Sequence, residues 1–276
     1  MSEQPILELN DGRRIPQIGL GVWQTPNDTA VIAVEAALRN GYRHVDTAAI
    51  YGNEEGVGEG LKASDVAREE IFLTTKLWND DQGFDSTLRA CETSLKKLGT
   101  DYVDLYLIHW PSPQRDRYLD SWRALVRLQE EGRARSIGVS NFEAKHLERI
   151  IGETGVKPVL NQIELHPRFQ QRPLREEHAR LGIATQSWSP LGQGQLLKDP
   201  VVQSIAAKHG KTAAQVLIRW HLDHKLIVIP KSITPLRIAE NFAVLDFLLD
   251  EADRNQLDAL DSAEGRIGPN PATATF

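Results

Sequence analysis

The sequence predicts an α/β fold: a single (β/α)8 TIM barrel with an N-terminal β-hairpin and an extra C-terminal helix. Three observations predict it. Eight short β-rich runs lie between residues 18 and 230, separated by stretches of helical pattern, and that alternation calls for parallel strand pairing. The chain has 276 residues, close to the roughly 250 of a closed barrel that folds as one domain. Polar residues stand just past several apolar runs, at the strand ends where such barrels place their function. No linker or low-complexity run interrupts the chain, so residues 1–276 read as one domain. An open doubly wound sheet is the other arrangement of the same alternation.

The elements follow in order. Ile6–Leu9 and Arg13–Pro16 flank Asn10-Asp11-Gly12, a turn sequence suited to a β-hairpin that can plug the N-terminal end of the barrel. Strands are expected near residues 18–21, 43–46, 71–75, 103–108, 134–139, 159–163, 183–187 and 226–230. A helix over Thr29–Asn40 stops at Gly41, and another over Ser121–Glu131 stops at Gly132. Both glycines suit the left-handed position that closes a helix. Leu88, Cys91, Leu95 and Leu98 repeat at helical spacing, as do the apolar residues of Thr212–Leu222. Asp250–Leu260 reads as the extra helix. The tail from Ala263 to Phe276 is rich in Gly, Pro, Ala and Thr and is expected to be irregular. The segment Pro111–Arg117 is short, which predicts an open site on that side.

Composition narrows the class. Hydrophobic residues make up 41% and charged residues 25%, as in soluble globular proteins. A net charge of −6 offers no general attraction to nucleic acid or anionic membrane. No apolar run approaches the roughly 20 residues of a membrane span. Met1-Ser2-Glu3-Gln4-Pro5 lacks the basic region and apolar core of a secretory signal. The single cysteine, Cys91, has no partner for an internal disulfide and reads as a packed, inert thiol. A monomer in a reducing cytoplasm, acting on a small molecule, is the expected setting.

The chemistry lies in four residues. Asp46 and Tyr51 follow the second barrel strand, Lys76 ends the third and His109 follows the fourth. Parallel neighbours bring these side chains to one end of the sheet. A free phenol has a pKa of about 10 and is a weak acid at neutral pH. A nearby ammonium lowers that value, which Lys76 can do for Tyr51. Asp46 can pair with Lys76, and His109 can hydrogen-bond a substrate oxygen. The set predicts general acid catalysis at an oxygen that gains negative charge. No metal is expected, because His109, Glu164 and His166 lack a recognisable ligand spacing. Trp23, Trp78 and Trp110 each follow a strand end and suggest, with His109, an apolar substrate wall. Two familiar motifs fail. Gly19-Leu20-Gly21 lacks a third glycine, and Gly56-Val57-Gly58-Glu59-Gly60 does not follow a strand. Gly138-Val139-Ser140 is followed by Asn141-Phe142 rather than by the glycine of a hydrolase elbow.

On these residues the chain resembles the aldo-keto reductase family. The matching segments are Gly41 to Ala48 with Tyr51, Thr74-Thr75-Lys76-Leu77-Trp78, Asp104 to Pro111, Ser136 to Phe142, Asn161-Gln162-Ile163-Glu164, and Ile229-Pro230-Lys231-Ser232. Within the family it looks most like the bacterial 2,5-diketo-D-gluconate reductases, through Ala48 to Gly58, Lys76 to Asp80 and Gln162 to Pro167. The resemblance implies NADPH as hydride donor and Asp46, Tyr51, Lys76 and His109 as the catalytic four, with Tyr51 the acid. It implies that Ser140, Asn141 and Gln162 meet the nicotinamide carboxamide and that Trp188 stacks on the ring. Ser189, Leu191 and Gln193 would follow the pyrophosphate. Lys231, Ser232 and Arg237 would hold the 2′-phosphate, with Glu240 and Asn241 on adenine. Gly21, Val22 and Ile233 complete the implied cofactor set. Thr234 stands where family members often carry arginine. From the residues themselves, Thr234 can cap a helix that begins at Pro235, and a helix N-terminus with two cations favours phosphate.

The implied activity is reduction of 2,5-diketo-D-gluconate at C5 to 2-keto-L-gulonate. The alternatives are reduction of methylglyoxal, other small aldehydes or β-keto esters, and, in a different class, an NADPH-sensing regulatory subunit.

Overall fold

The computed structural model describes residues 4–276, so most of the N-terminal stretch read for a signal lies outside the described residues. Strands β1 (Ile6–Glu8) and β2 (Arg14–Pro16) form the expected antiparallel hairpin, with Ile6 opposite Pro16. Gly12 supplies the turn with φ of 80°, a conformation that glycine adopts without a Cβ penalty. Leu9 and Ile15 are buried against Phe72, Leu105, Leu107, Val159, Leu160 and Ile227. The hairpin therefore closes the N-terminal end of the barrel with apolar side chains.

Eight parallel strands follow: β3 (Leu20–Gly21), β4 (His44–Asp46), β5 (Phe72–Leu77), β6 (Val103–Ile108), β7 (Ala134–Ser140), β8 (Leu160–Glu164), β9 (Ala184–Trp188) and β10 (Ile227–Val228). Each pairs with its neighbour in sequence. Parallel bridges from Ile18 to Val228 and from Gly21 to Lys231 join the first strand to the last, so the sheet closes. The open doubly wound alternative is excluded by that closure.

Helices α1 (Asn27–Arg39), α2 (Glu54–Ala63), α3 (Phe84–Leu98), α4 (Tyr118–Glu130), α5 (Ala144–Thr154) and α6 (Arg172–Leu181) follow successive strands. Helix α7 (Pro200–His209) is an insertion before α8 (Ala213–Asp223), and α9 (Pro235–Phe242) follows β10. The extra helix is α10 (Glu251–Asp258), which Asp250 caps in a reciprocal box with Asp253. Gly41 and Gly132 take positive φ just past α1 and α4, as their positions demand. Thr212 caps α8 in a box with Gln215. Thr234 precedes α9 with Pro235 at its first position, but its side chain makes no capping bond. Ser232 Oγ instead accepts from the Thr234 N–H at 3.3 Å.

The glycine run of α2 has a packing purpose. A Cβ on Gly56 would stand 1.9 Å from the Asn27 carbonyl oxygen, and one on Gly58 would stand 2.4 Å from that of Leu98. These glycines let α2 lie against its neighbours, and the run is no phosphate loop. Cys91 is buried on α3 with its thiol pKa pushed up to about 12 by burial, which keeps it protonated and inert. Among the described residues, no helix is long and apolar enough to cross a membrane.

Candidate active site

Strand register carries the four predicted residues to one mouth of the barrel. Gly21 pairs with Asp46, Asp46 with Thr74, and Lys76 with Leu107, one residue before Leu77 meets Ile108. His109 follows Ile108 directly. Tyr51 sits on a short 3-10 turn, Ala49–Tyr51, that Gly52 closes with φ of 67°. The loop returns the phenol to the strand ends instead of letting it continue into α2.

Lys76 is fully buried and Asp46 nearly so. Lys76 Nζ donates to Asp46 Oδ1 at 2.5 Å and to the Thr47 carbonyl at 2.8 Å. Burial draws the lysine pKa below its ordinary value, and the Asp46 charge opposes that loss. The ammonium also stands 5.2 Å from the Tyr51 ring centre. The Tyr51 ring meets His109 edge-on with centres 5.7 Å apart. Burial pushes the His109 imidazole well below its ordinary value, with Lys76 adding to the effect. It is neutral near pH 7, and its buried Nδ1 has no hydrogen-bond partner among the described residues.

The phenol departs from the sequence expectation. Its pKa is raised well above the ordinary value, first by burial and then by the Asp46 charge. Burial and the Asp46 charge outweigh the pull of the Lys76 ammonium toward the phenolate, since that ammonium spends its hydrogen bonds on Asp46 and Thr47. Tyr51 is therefore held protonated at neutral pH.

Polar residues continue around the mouth. Gln162 Nε2 donates to Asp46 Oδ2 at 2.8 Å and to Gln186 Oε1 at 2.9 Å. Ser140 Oγ donates to the Gln162 carbonyl at 2.8 Å. Asn141 Nδ2 donates to the His109 carbonyl at 3.0 Å, and its Oδ1 accepts from Trp188 Nε1 at 2.8 Å. Asn141, Ser189 and Gln193 all have positive φ, near 62°, 50° and 50°. Such non-glycine outliers cluster at sites where a loop must turn sharply beside a ligand. Gly21 also approaches the last strand closely, since a Cβ there would lie 2.7 Å from the Ile229 carbonyl oxygen. Val22 is buried, and Leu191 packs against the core.

Farther out, Lys231 and Arg237 are exposed on the approach to α9 and on its first turns, and neither forms an ion pair among the described residues. Ser232 is buried, Ile233 is 43% exposed, and Asn241 is buried. One Glu240 oxygen accepts from Thr212 Oγ1 at 2.9 Å. A cavity of about 750 Å³ lined by Arg13, Arg14, Arg43, Arg135, Glu69 and Glu70 lies at the hairpin end, and none of the groups named above lines it.

Three of the site's neighbours were not foreseen. Asn53 Nδ2 donates to the carbonyls of Val22 and Thr25, and its Oδ1 accepts from Thr47 Oγ1. It thereby anchors the side chain of Thr47, whose carbonyl receives Lys76. Glu54 is a second buried carboxylate, accepting from Thr75 Oγ1 at 2.6 Å. Phe276 stacks on Trp78 with ring centres 6.0 Å apart and meets Trp110 edge-on at 5.1 Å. Trp78 in turn contacts His109 at 5.4 Å, while Trp23 stands at the rim, 43% exposed. The side expected to be open is thus walled by Phe276.

The chain is similar over nearly its whole length to known proteins. The model of the Aldo/keto reductase family matches residues 17–262. An aldo-keto reductase of Mycolicibacterium smegmatis is 57% identical over 99% of this chain and 98% of its own. Methylglyoxal reductase DkgA of Escherichia coli is 53% identical over 98% of both. The crystal structure of a Gox0644 variant in complex with NADPH superposes with a TM-score of 0.96 at 55% identity, covering 99% of each chain. With its closed eight-stranded barrel and this family match over most of its length, the chain belongs to the aldo/keto reductase family of oxidoreductases.

Proposed function

We propose that this chain is an NADPH-dependent carbonyl reductase in which Tyr51 is the general acid. The observation that carries the reading is the convergence of a protonated phenol, a neutral imidazole and a buried Lys76–Asp46 pair at one barrel mouth. NADPH held there would supply a hydride to the carbonyl carbon. The protein's own share is the proton and the electrostatics. As the carbonyl oxygen gains negative charge, Tyr51 donates its phenolic proton to it. The Lys76 ammonium, 5.2 Å from the ring, favours the phenolate left behind, and Asp46 keeps that ammonium charged and aimed. His109, neutral in the folded protein, offers a ring nitrogen to the same oxygen and so orients the substrate.

The residues present fit a nicotinamide dinucleotide. Gln162 spends its amide N–H groups on Asp46 and Gln186, which turns its Oε1 away from both as a free acceptor for a carboxamide. Ser140 and Asn141 stand beside it, and Trp188, tethered at Nε1 by Asn141, offers an indole face to the ring. Ser189, Leu191 and Gln193, with the backbone of Gly21 and Val22, would border the chain of the cofactor. Lys231, Ser232 and Arg237 would hold the 2′-phosphate, with Ile233, Glu240 and Asn241 around the adenine. The unpaired charges of Lys231 and Arg237 suit an anion that NADH lacks. The Gox0644 complex with NADPH supports this cofactor.

The substrate side is aromatic, with Trp78, Trp110 and Phe276 packed together and Trp23 at the rim. It suits small carbonyl compounds. 2,5-Diketo-D-gluconate, reduced at C5, is the substrate that the sequence resemblance implies. Methylglyoxal is the second reading, favoured by the similarity to proteins described as methylglyoxal reductases. An NADPH-sensing regulatory role would leave the catalytic set without use. We read the whole of residues 1–276 as one catalytic unit that acts as a cytoplasmic monomer. The deciding experiment measures kcat/KM for 2,5-diketo-D-gluconate, methylglyoxal and a β-keto ester with NADPH and with NADH. No turnover with any carbonyl would overturn the enzymatic reading.

A further inference from the structure

Glu164 is one of several buried carboxylates outside the catalytic group, and both of its oxygens are occupied. Glu164 is the last residue of β8, in register with Trp188, and its side chain is 1% exposed. Its Oε1 accepts the Ile267 N–H at 2.6 Å and its Oε2 accepts the Gly268 N–H at 2.9 Å. His166 Nε2 stands 3.2 Å from Oε1. A carboxylate removed from water is costly unless its oxygens are satisfied. Burial raises the Glu164 pKa, but the hydrogen bonds outweigh it and hold the group below its ordinary value. Two successive backbone N–H groups on one carboxylate form a grip, and the gripped chain lies more than 100 residues away in sequence.

What the grip presses against is the informative part. A Cβ on Gly268 would fall 2.4 Å from Trp188 Cη2 and 3.1 Å from Glu164 Oε2. The backbone at residue 268 therefore lies directly against the benzo end of the indole. The other end is tethered through Nε1 to Asn141. Beyond residue 268 the strap runs on to Phe276, whose carbonyl accepts from Asn79 Nδ2 at 2.9 Å while its ring packs on Trp78. Glu164 thus holds one end of a strap that touches both Trp188 and the aromatic wall.

We propose that Glu164 is a positioning residue: it fastens residues 267–268 against Trp188 and so sets the indole surface on which the nicotinamide stacks. The proposal rests on the cofactor reading of Trp188 given above. Glu164 touches no reacting atom, so its loss acts on binding more than on the chemical step. A merely structural anchor would change stability and leave binding alone.

Two variants separate these roles. Glu164→Gln keeps the volume but turns one acceptor into a donor that faces a backbone N–H. Gly268→Ala keeps the carboxylate and drives a methyl into the indole. Both are expected to weaken NADPH, read by quenching of tryptophan fluorescence, by roughly tenfold: Glu164→Gln through the loss of a charge-assisted hydrogen bond, Gly268→Ala through displacement of the indole. KM for methylglyoxal should rise alongside, with kcat changing less than about threefold. Glu164→Gln should also speed amide hydrogen exchange at residues 267 and 268. Wild-type NADPH affinity and KM in both variants, with the strap amides exchanging fast, would overturn the proposal alone. If Glu164→Gln does not fold, Gly268→Ala decides by the same binding measurement. Failure of the wild-type protein to bind NADPH would overturn the cofactor reading and this proposal together.

Discussion

Replacing Lys76 with methionine isolates the Lys76–Asp46 pair. The side chains are comparable in length, so the change removes the charge and leaves the space filled. Lys76 is fully buried, and its ammonium bonds Asp46 Oδ1 at 2.5 Å and the Thr47 carbonyl at 2.8 Å. Without it the Asp46 carboxylate keeps a single side-chain donor, Gln162 Nε2 at 2.8 Å. Breaking a buried pair from one side costs about 3–5 kcal/mol, because the remaining charge stays desolvated. Urea unfolding of Lys76→Met should therefore show a loss of that size. The double variant Lys76→Met, Asp46→Asn removes both charges and should regain about 2 kcal/mol, a coupling typical of groups in direct contact. Turnover should fall in both, since the phenolate would lose its cationic neighbour. A Lys76→Met protein as stable as the wild type would refute the buried pair. Additive losses in the double variant would refute the coupling.

Further outcomes follow from the same geometry. Arg237→Ala should weaken NADPH about tenfold while leaving NADH nearly unchanged, because a charge-assisted bond is worth roughly 1.5–3 kcal/mol; equal losses for both cofactors would move Arg237 off the 2′-phosphate. His44 and His221 are fully buried, and burial lowers each to about 4. The unfolded chain takes up these protons near pH 6.5 and the folded protein does not, so stability is complete above pH 6.5 and falls as pH drops toward 4, by up to about 3 kcal/mol per histidine. Urea unfolding from pH 7.5 to 4.5 should show that slope, and His221→Gln should reduce it by about one proton.

The barrel was legible because its signals are local. Each strand is a short apolar run, and each helix shows its own period and stop, as at Gly41 and Gly132. Of the four residues proposed for catalysis, Asp46, Lys76 and His109 were legible for the same reason: they need only their strands and the parallel register to meet. Helix α7 went unforeseen because β9 and α8 alone complete the repeat, so nothing in the alternation required it. The strap from Ile267 to Phe276 has no periodicity, and its course depends on Glu164 and Asn79, which are distant in sequence. That is why Phe276 at the substrate wall could not be read from the chain. The expected lowering of the Tyr51 pKa failed for a related reason. Sequence placed a cation near the phenol, but the opposing effects of burial and Asp46 depend on the packed environment.

The central claim is that Tyr51 delivers the proton while the cofactor site is built by other residues. Its most direct test is Tyr51→Phe, assayed for NADPH binding by fluorescence and for NADPH oxidation with saturating methylglyoxal. Loss of the hydroxyl removes the general acid and touches none of the residues assigned to the cofactor. The account predicts NADPH affinity within about twofold of wild type and a kcat at least ~10²-fold lower, the size expected for general acid catalysis. A kcat near that of the wild type, with NADPH bound equally well, would contradict it.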